Sequence, residues 1–253
     1  MNHTPLLAYH DPKFIDSDEG RPVRIVSEYL APLRAFGTCG VTATVVFFGS
    51  ARIRADGPLG RYLDEAVELA RLVTEWNKTL PGEPLVVCSG GGPGIMEAAN
   101  KGAALAGGRT VGLNIGLPHE QRPNPYITPE LCFEFHYFFM RKLWFAHLAR
   151  ALIAFPGGFG TFDELFEILT LAQTRKIARS IPVFLYGSAY WKEVVNFDAL
   201  VRHGTISAED LKLFEFVDEP RAALELLKRR VVLDSQAAST PAFAKSRHST
   251  DHG

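Results

Sequence analysis

Cysteine is scarce in this chain of 253 residues: there are three, Cys39, Cys88 and Cys132, far apart and odd in number. No CxxC pair is present, which argues against a zinc ribbon or a disulfide framework. Cys88 ends the apolar run Leu85-Val86-Val87-Cys88 and reads as a small buried hydrophobe. An excess of one charge is lacking too. The 27 Lys and Arg against 28 Asp and Glu leave a net charge of −1, so no nucleic acid partner is expected. No apolar run nears the roughly 20 residues that a membrane span needs, and no membrane partner is expected either. The opening Met1-Asn2-His3-Thr4-Pro5 has no cationic start followed by an apolar core, as a signal peptide would, and a cytoplasmic location is expected. No His/Cys/Asp cluster suggests a metal, and neither a metal nor a cofactor is expected. No GK[ST] follows either glycine cluster, which removes a Walker P-loop.

What the chain does have is an alternation. It is 47% hydrophobic and 22% charged, ordinary for a globular protein, and short apolar runs alternate with longer amphipathic segments, as in a parallel sheet covered by helices. The runs Thr44–Phe48, Leu85–Cys88, Thr110–Leu113, Cys132–His136, Ala151–Phe155, Pro182–Tyr186 and Leu213–Val217 predict strands, most of them bounded by Gly or Pro. Helices are expected over Leu59–Lys78, Pro93–Ala106, Phe138–Ala149, Phe159–Thr174, Trp191–His203 and Glu219–Arg230. The fold class is therefore α/β: a Rossmann-like, doubly wound parallel sheet of six or seven strands. Residues 1–40 read as an N-terminal extension whose helix, Pro22–Phe36, is interrupted by Pro32. Residues 41–232 form the nucleotide-binding unit. Residues 233–253, rich in Ser, Ala, Thr and His, read as a disordered tail.

Three segments carry chemistry. Ser89-Gly90-Gly91-Gly92-Pro93-Gly94-Ile95-Met96 lies between an expected strand and an expected helix, so its backbone N–H groups and the helix start suit a phosphate or another anion. A tight turn needing φ > 0 would use glycine as well, but one turn does not need four. The dinucleotide fingerprint is not met, because Ile95 falls where Gly or Ala belongs and Arg109–Asn114 offers no acidic residue for a ribose. Pro156-Gly157-Gly158-Phe159-Gly160-Thr161-Phe162-Asp163-Glu164 forms a second cradle of the same kind, with the Thr161 hydroxyl as a further donor. By composition alone Glu164 is a carboxylate complementing a helix dipole, worth about 0.3–1 kcal/mol. Two such turns in one parallel sheet change that reading, since open α/β sheets bind ligands beyond the carboxyl ends of their strands. In the third segment, Phe138-Phe139-Met140-Arg141-Lys142, the guanidinium of Arg141 suits a phosphate, carboxylate or purine edge, although a lone Arg–Lys pair reads better as a solvated helix charge.

Taken together, these segments resemble the Lonely Guy (LOG) family of phosphoribohydrolases, long labelled "possible lysine decarboxylase". The family signature PGGxGTxxE is met at every fixed position by Pro156 to Glu164, its Arg-Lys pair by Arg141-Lys142 and its glycine loop by Ser89–Met96. The similarity runs from Phe47-Phe48-Gly49-Ser50-Ala51-Arg52, through Gly112-Leu113-Asn114-Ile115 and Leu117-Pro118-His119-Glu120-Gln121-Arg122-Pro123-Asn124-Pro125-Tyr126, to about Val217. The leading helix with Gly20-Arg21-Pro22 and the long tail resemble the larger bacterial branch, which includes nucleotide 5′-monophosphate nucleosidases.

The resemblance implies hydrolysis of a nucleoside 5′-monophosphate, such as AMP or a cytokinin riboside monophosphate, to free base and ribose 5-phosphate. It implies Glu164 and Arg141 as the catalytic pair, with Arg141 either orienting Glu164 or bonding the ligand. Gly157, Gly158, Gly160 and Thr161 would hold the phosphate, with Pro156 beside them in the substrate site. Ser89, Gly90, Gly91, Gly92, Met96, Asn114, Lys142, Gly49 and Ser50 would complete the substrate pocket, and a homodimer or higher homo-oligomer is implied. The chemistry is consistent with these residues, because a fixed carboxylate near C1′ stabilises an oxocarbenium-like state and accepts a proton from water. The alternative is a non-enzymatic carrier or sensor of a nucleotide or molybdenum cofactor on the same fold, which has no need of Glu164 and Arg141. The old decarboxylase label would need a pyridoxal phosphate lysine, and Lys101, Lys142 and Lys176 lie on expected helices or their ends with no context for one.

Overall fold

The computed structural model describes residues 6–80, 85–116, 122–176 and 181–231. Two helices come first, the short α1 (Pro12–Ile15) and the long α2 (Arg21–Cys39). There follow β1 (Ala43–Phe48), α3 (Arg61–Asn77), β2 (Leu85–Ser89), α4 (Ile95–Leu105), β3 (Thr110–Ile115), β4 (Cys132–Phe135), α5 (Phe138–Leu148), β5 (Ala149–Ala154) and α6 (Phe159–Gln173). The chain continues through β6 (Val183–Tyr186), α7 (Ser188–Val194), α8 (Phe197–Arg202), β7 (Phe214–Val217) and α9 (Pro220–Arg230). The seven strands pair in parallel in the order β4-β3-β2-β1-β5-β6-β7. The sheet is the α/β architecture that the alternating pattern predicts.

Strand β1 lies at the centre, and all six of its residues are buried. Its side chains alternate between two cores, as a period of two requires. Val46 and Phe48 join Cys88, Trp144, Phe145, Leu165 and Ile168 under α5 and α6. Val45 and Phe47 join Leu69, Ala99, Phe155 and Leu224 under α3, α4 and α9. Burial on both faces makes such strands near-continuous apolar runs, which is why they are readable in the sequence. Strand order reverses at β1, which has β2 on one side and β5 on the other. Beyond the carboxyl ends at such a reversal, an open α/β sheet leaves a crevice.

Three expectations need correction. Helix α2 is not interrupted: it runs through Pro32, which is buried inside it. A proline has no N–H for the carbonyl four residues back. That carbonyl belongs to Glu28, and the indole Nε1–H of Trp144 donates to it at 3.2 Å, so the missing bond is replaced from α5. The segment expected as one helix over Trp191–His203 is two, α7 and α8. Asn196 separates them by capping α8, its side chain accepting the N–H of Ala199 at 2.9 Å. The helix expected from Pro93 begins at Ile95, because Gly94 takes a left-handed φ of 67°. The Leu117–Gln121 part of the long quoted run and the expected tail 233–253 lie outside the described residues. Among the described residues, no helix is long and apolar enough to cross a membrane.

Candidate active site

The glycine turns meet at the carboxyl edge where β1, β2 and β5 lie side by side. Gly49 and Ser50 follow β1, and Ser50 donates its N–H to Pro156 O at 3.0 Å while accepting that of Ile95 at 3.2 Å. One residue thus ties the turn after β5 to the helix after β2. The packing there leaves no room for side chains. A β-carbon on Gly49 would collide with the Ile95 side chain, and one on Gly94 with the Ser50 carbonyl.

Arg141 and Glu164 come together in this edge. Helix α5 presents Arg141 from its first turn and α6 presents Glu164 from its second, with Nη1 donating to Oε1 at 3.0 Å. Both side chains are nearly enclosed, 10% and 13% exposed. Arg141 is fixed on three further sides: Nε donates to Leu113 O at 2.7 Å, the guanidinium carbon lies 5.0 Å from the Phe145 ring centroid, and Nη2 abuts Gly90. A β-carbon at Gly90 would strike both Nη2 and the Met96 sulfur. Gly90 is therefore glycine because Arg141 and Met96 occupy that space.

Burial pushes the Glu164 carboxyl up to about 7. The Arg141 and Lys142 cations oppose the shift, and the Asp163 and Glu167 carboxylates add to it. A single charged hydrogen bond does not outweigh the loss of water around a carboxylate. The result is an acid–base group poised near neutrality, the condition for general base work at physiological pH. Cys88 lies below the pair, and burial pushes its thiol up, so it stays a neutral hydrophobe as its apolar run suggests.

The second turn is organised by its own neighbours. Thr161 is buried and folds back on Gly157, where a β-carbon would collide with its hydroxyl, and Tyr190 Oη donates to Gly157 O at 2.7 Å. Gly158 and Gly160 face open space. Asn114 covers the first turn: its amide lies against Gly91, which has a φ of 75°, and its Nδ2 donates to Phe133 O at 3.0 Å. Ser89 is buried below the turn, with Oγ accepting the Gly91 N–H at 3.1 Å. Lys142 is placed differently from Arg141. Asp163 at 2.7 Å and Glu167 at 3.2 Å hold its ammonium along the outside of α6.

Three positioning groups escape sequence reading. Asn100 and Asn124 are buried below the glycine turn and bonded to each other at 2.9 Å. Glu28 of α2 accepts the N–H groups of His136 at 2.7 Å and Tyr137 at 3.2 Å, pinning the junction from which α5 starts. Each is one polar residue in an ordinary context, and only tertiary partners reveal it.

A family profile described as "Possible lysine decarboxylase" matches residues 96–227, just over half of the chain. Cytokinin riboside 5′-monophosphate phosphoribohydrolase LOG3 of Arabidopsis thaliana is 30% identical over 188 residues, spanning 73% of this chain and 79% of that protein. The chain belongs to the Lonely Guy family. Another relative, the probable cytokinin riboside 5′-monophosphate phosphoribohydrolase LOGL3 of Oryza sativa subsp. japonica, is 29% identical over 207 residues, covering 78% of this chain and 88% of that protein. Among solved structures, TM1055 superposes with a TM-score of 0.54 at 22% identity over 74% of this chain and 99% of its own. The molybdenum cofactor binding protein from the phototrophic bacterium Rippkaea orientalis superposes at 0.50 with 20% identity, over 75% and 96% of the two chains. Both likenesses establish the Rossmann-like fold of this Lonely Guy chain and nothing about its ligand.

Proposed function

We propose that this member of the Lonely Guy family hydrolyses the N-glycosidic bond of nucleoside 5′-monophosphates, AMP or a cytokinin riboside monophosphate among them, to free base and ribose 5-phosphate. The observation that carries the reading is the enclosed Arg141–Glu164 pair lying between two glycine turns at the strand reversal. The names of the relatives supply the reaction class. In the proposed reaction the C1′–N bond breaks, its electron pair leaves with the base, and water forms the new C1′–O bond. Glu164 takes one proton of that water and stabilises the cationic sugar on the way, and the departing base takes up one proton to leave neutral, so that Glu164 ends the cycle ionised again. Arg141 acts first on Glu164: Nη1 and Nε are committed to the carboxylate and to Leu113 O. The phosphate goes to Gly157, Gly158, Gly160 and Thr161, where open space lies beside two of the glycines. Gly49, Ser50, Ser89 to Gly92, Met96 and Asn114 line the rest, with Lys142 at the rim. Residues 41–232 carry the activity.

A homodimer belongs to the same proposal. Phe159, in the middle of the second turn, is 96% exposed, and it opens a groove of about 520 Å³ along α6 with Phe162, Phe166 and Leu171. Isolated surface aromatics need no explanation, but a lined apolar groove beside a site does. Sedimentation of Phe159→Asp against the unmodified chain tests it, a monomeric variant and a dimeric parent being expected.

The deciding experiment is a chromatographic screen of nucleoside monophosphates and nucleosides for released base. Release from monophosphates alone is expected. Tight binding of a monophosphate without release makes the protein a carrier and ends the hydrolase reading.

A further inference from the structure

Helix α5 carries Arg141 near its start but has no side-chain cap of its own. Tyr137 at the N-cap makes no capping bond, and the first turn holds no acidic residue. In a capping box the third helical residue returns a carboxylate to the N-cap N–H. That position is Met140, and the bond comes instead from α2, 109 residues before Tyr137. Glu28 accepts the Tyr137 N–H on Oε2 at 3.2 Å and the His136 N–H on Oε1 at 2.7 Å. A carboxylate there also complements the positive end of the helix.

Glu28 grips α5 a second time. Its carbonyl, left without a helical partner by Pro32, accepts the Trp144 Nε1–H at 3.2 Å, and the Trp144 ring stacks on Tyr29 with centroids 5.5 Å apart. One turn before Glu28, Arg24 donates from Nε to Tyr137 Oη at 3.3 Å. Residues 137 and 144 lie about two turns apart, and Arg141 stands between them. Its N–H donates to Tyr137 O at 3.2 Å, and its guanidinium meets Glu164 at 3.0 Å. A chain of hydrogen bonds therefore leads from Glu28 through Tyr137 to the enclosed pair. It starts in the N-terminal extension, ahead of the stretch that the family profile matches.

We propose that α2 serves the site: Glu28 is a positioning residue that caps α5 from outside and sets the reach of Arg141 to Glu164. This rests on reading Arg141 and Glu164 as the reacting pair. Among the described residues, Glu28 bonds to neither glycine turn, so its loss is expected in kcat rather than in KM. Glu28→Gln keeps the shape and one accepting oxygen but sets an amide N–H against the other backbone N–H. Glu28→Ala removes both acceptors.

Kinetics on AMP beside a substrate-free titration test the proposal. A small misplacement of a catalytic group costs up to about 10²-fold, so kcat should fall about tenfold in Glu28→Gln and about a hundredfold in Glu28→Ala. KM should stay within about threefold. Around Glu164, Arg141 and Lys142 of α5 hold the carboxyl down, Asp163 and Glu167 of its own helix push it up, and Cys88 of β2 stays neutral. A loosened Arg141 lets the carboxyl rise, so Glu164 should titrate at least about 0.5 pH higher in both variants than in the parent. Carbon-13 NMR of the side-chain carboxyls, assigned with Glu164→Gln, reads this without substrate. Val73→Ala, in the core on the other face of the sheet, controls for lost stability and should keep the parent's kcat and midpoint. A folded Glu28→Gln with the parent's Glu164 midpoint overturns the proposal, as does an unchanged kcat in an active protein. An equal shift in Val73→Ala overturns it too, making Glu28 a general strut. A parent that binds AMP but releases no adenine ends the hydrolase reading, while the titration still decides for or against Glu28.

Discussion

Two ion pairs bridge the same two helices from adjacent residues and have opposite characters. Arg141 and Glu164 face inward at 10% and 13% exposure; Lys142, Asp163 and Glu167 face outward at 20%, 55% and 35%. Sequence neighbours one residue apart on a helix point about 100° apart, so α5 and α6 place one pair in the crevice and the other on the rim. The outer pairs keep water and cost little to form, and such pairs contribute about 0–1 kcal/mol. The inner pair is stripped of water, and its carboxyl rises to about 7. A fold gains little from burying a charge pair that packed apolar side chains could replace. A carboxyl perturbed by burial beside a specific charge partner in a cleft is a candidate for a functional site. Opposite charge is common to both pairs; what separates them is desolvation.

The largest test of that contrast is turnover. Glu164→Gln removes the ionisable oxygen while preserving shape, and AMP hydrolysis should fall by about 10²–10⁴-fold, the range for a lost general base. Asp163→Asn, one residue away, should stay within about threefold. Equal losses from the two substitutions, read as steady-state kcat by base release, would place both carboxylates in one structural role. Stability should divide the cations next. Arg141→Ala leaves Glu164 and the Leu113 carbonyl without their partner inside the protein, and breaking a buried pair on one side costs about 3–5 kcal/mol. Lys142→Ala should cost under about 1 kcal/mol in the same urea titration. Similar costs would show that the inner pair is no more enclosed in solution than the outer.

Much of the sheet is legible without coordinates, because strands buried on both faces spell themselves as runs such as Thr44-Val45-Val46-Phe47-Phe48, which the structure extends by only Ala43. What fails is whatever a distant residue decides. Pro32 reads as a break in α2, and its repair comes from Trp144, whose indole reaches a carbonyl 116 residues earlier in the chain. Asn196 splits one amphipathic pattern into two helices through a cap that hydrophobic periodicity does not weigh. At the site, the glycine turns are plain, since consecutive glycines between a strand and a helix have few other uses. Arg141 and Glu164 by themselves read as a solvated charge and a dipole complement, and only the signature around them lifts them out. Asn100 carries no signal and Asn124 only its place in a run that resembles the family; both look like any surface polar residue until their bonds to Ser89, Gly91, Gly92 and each other are seen.

The smallest and most discriminating test uses pH. A carboxyl whose pKa is raised by folding binds its proton more tightly in the native state than in the unfolded chain. Between the ordinary value of 4.5 and about 7, the native protein therefore holds more protons, and stability falls as pH rises through that window and levels off above it. The drop attributable to Glu164 is at most about 3 kcal/mol, and it should vanish in Glu164→Gln, measured as the difference between parent and variant in urea titrations from pH 4.5 to 8. Activity runs the other way, since only the ionised carboxylate accepts a proton: kcat/KM should climb with an apparent pKa near 7 and then plateau. An ordinary structural salt bridge does the reverse on the stability side, holding its carboxyl below the usual value and gaining stability as pH rises. Opposed slopes of stability and activity over one pH window belong to a base kept costly by burial. Stability that rises with pH there, lost in Glu164→Gln, would make the inner pair a structural strut like the outer one and remove Glu164 from the chemistry.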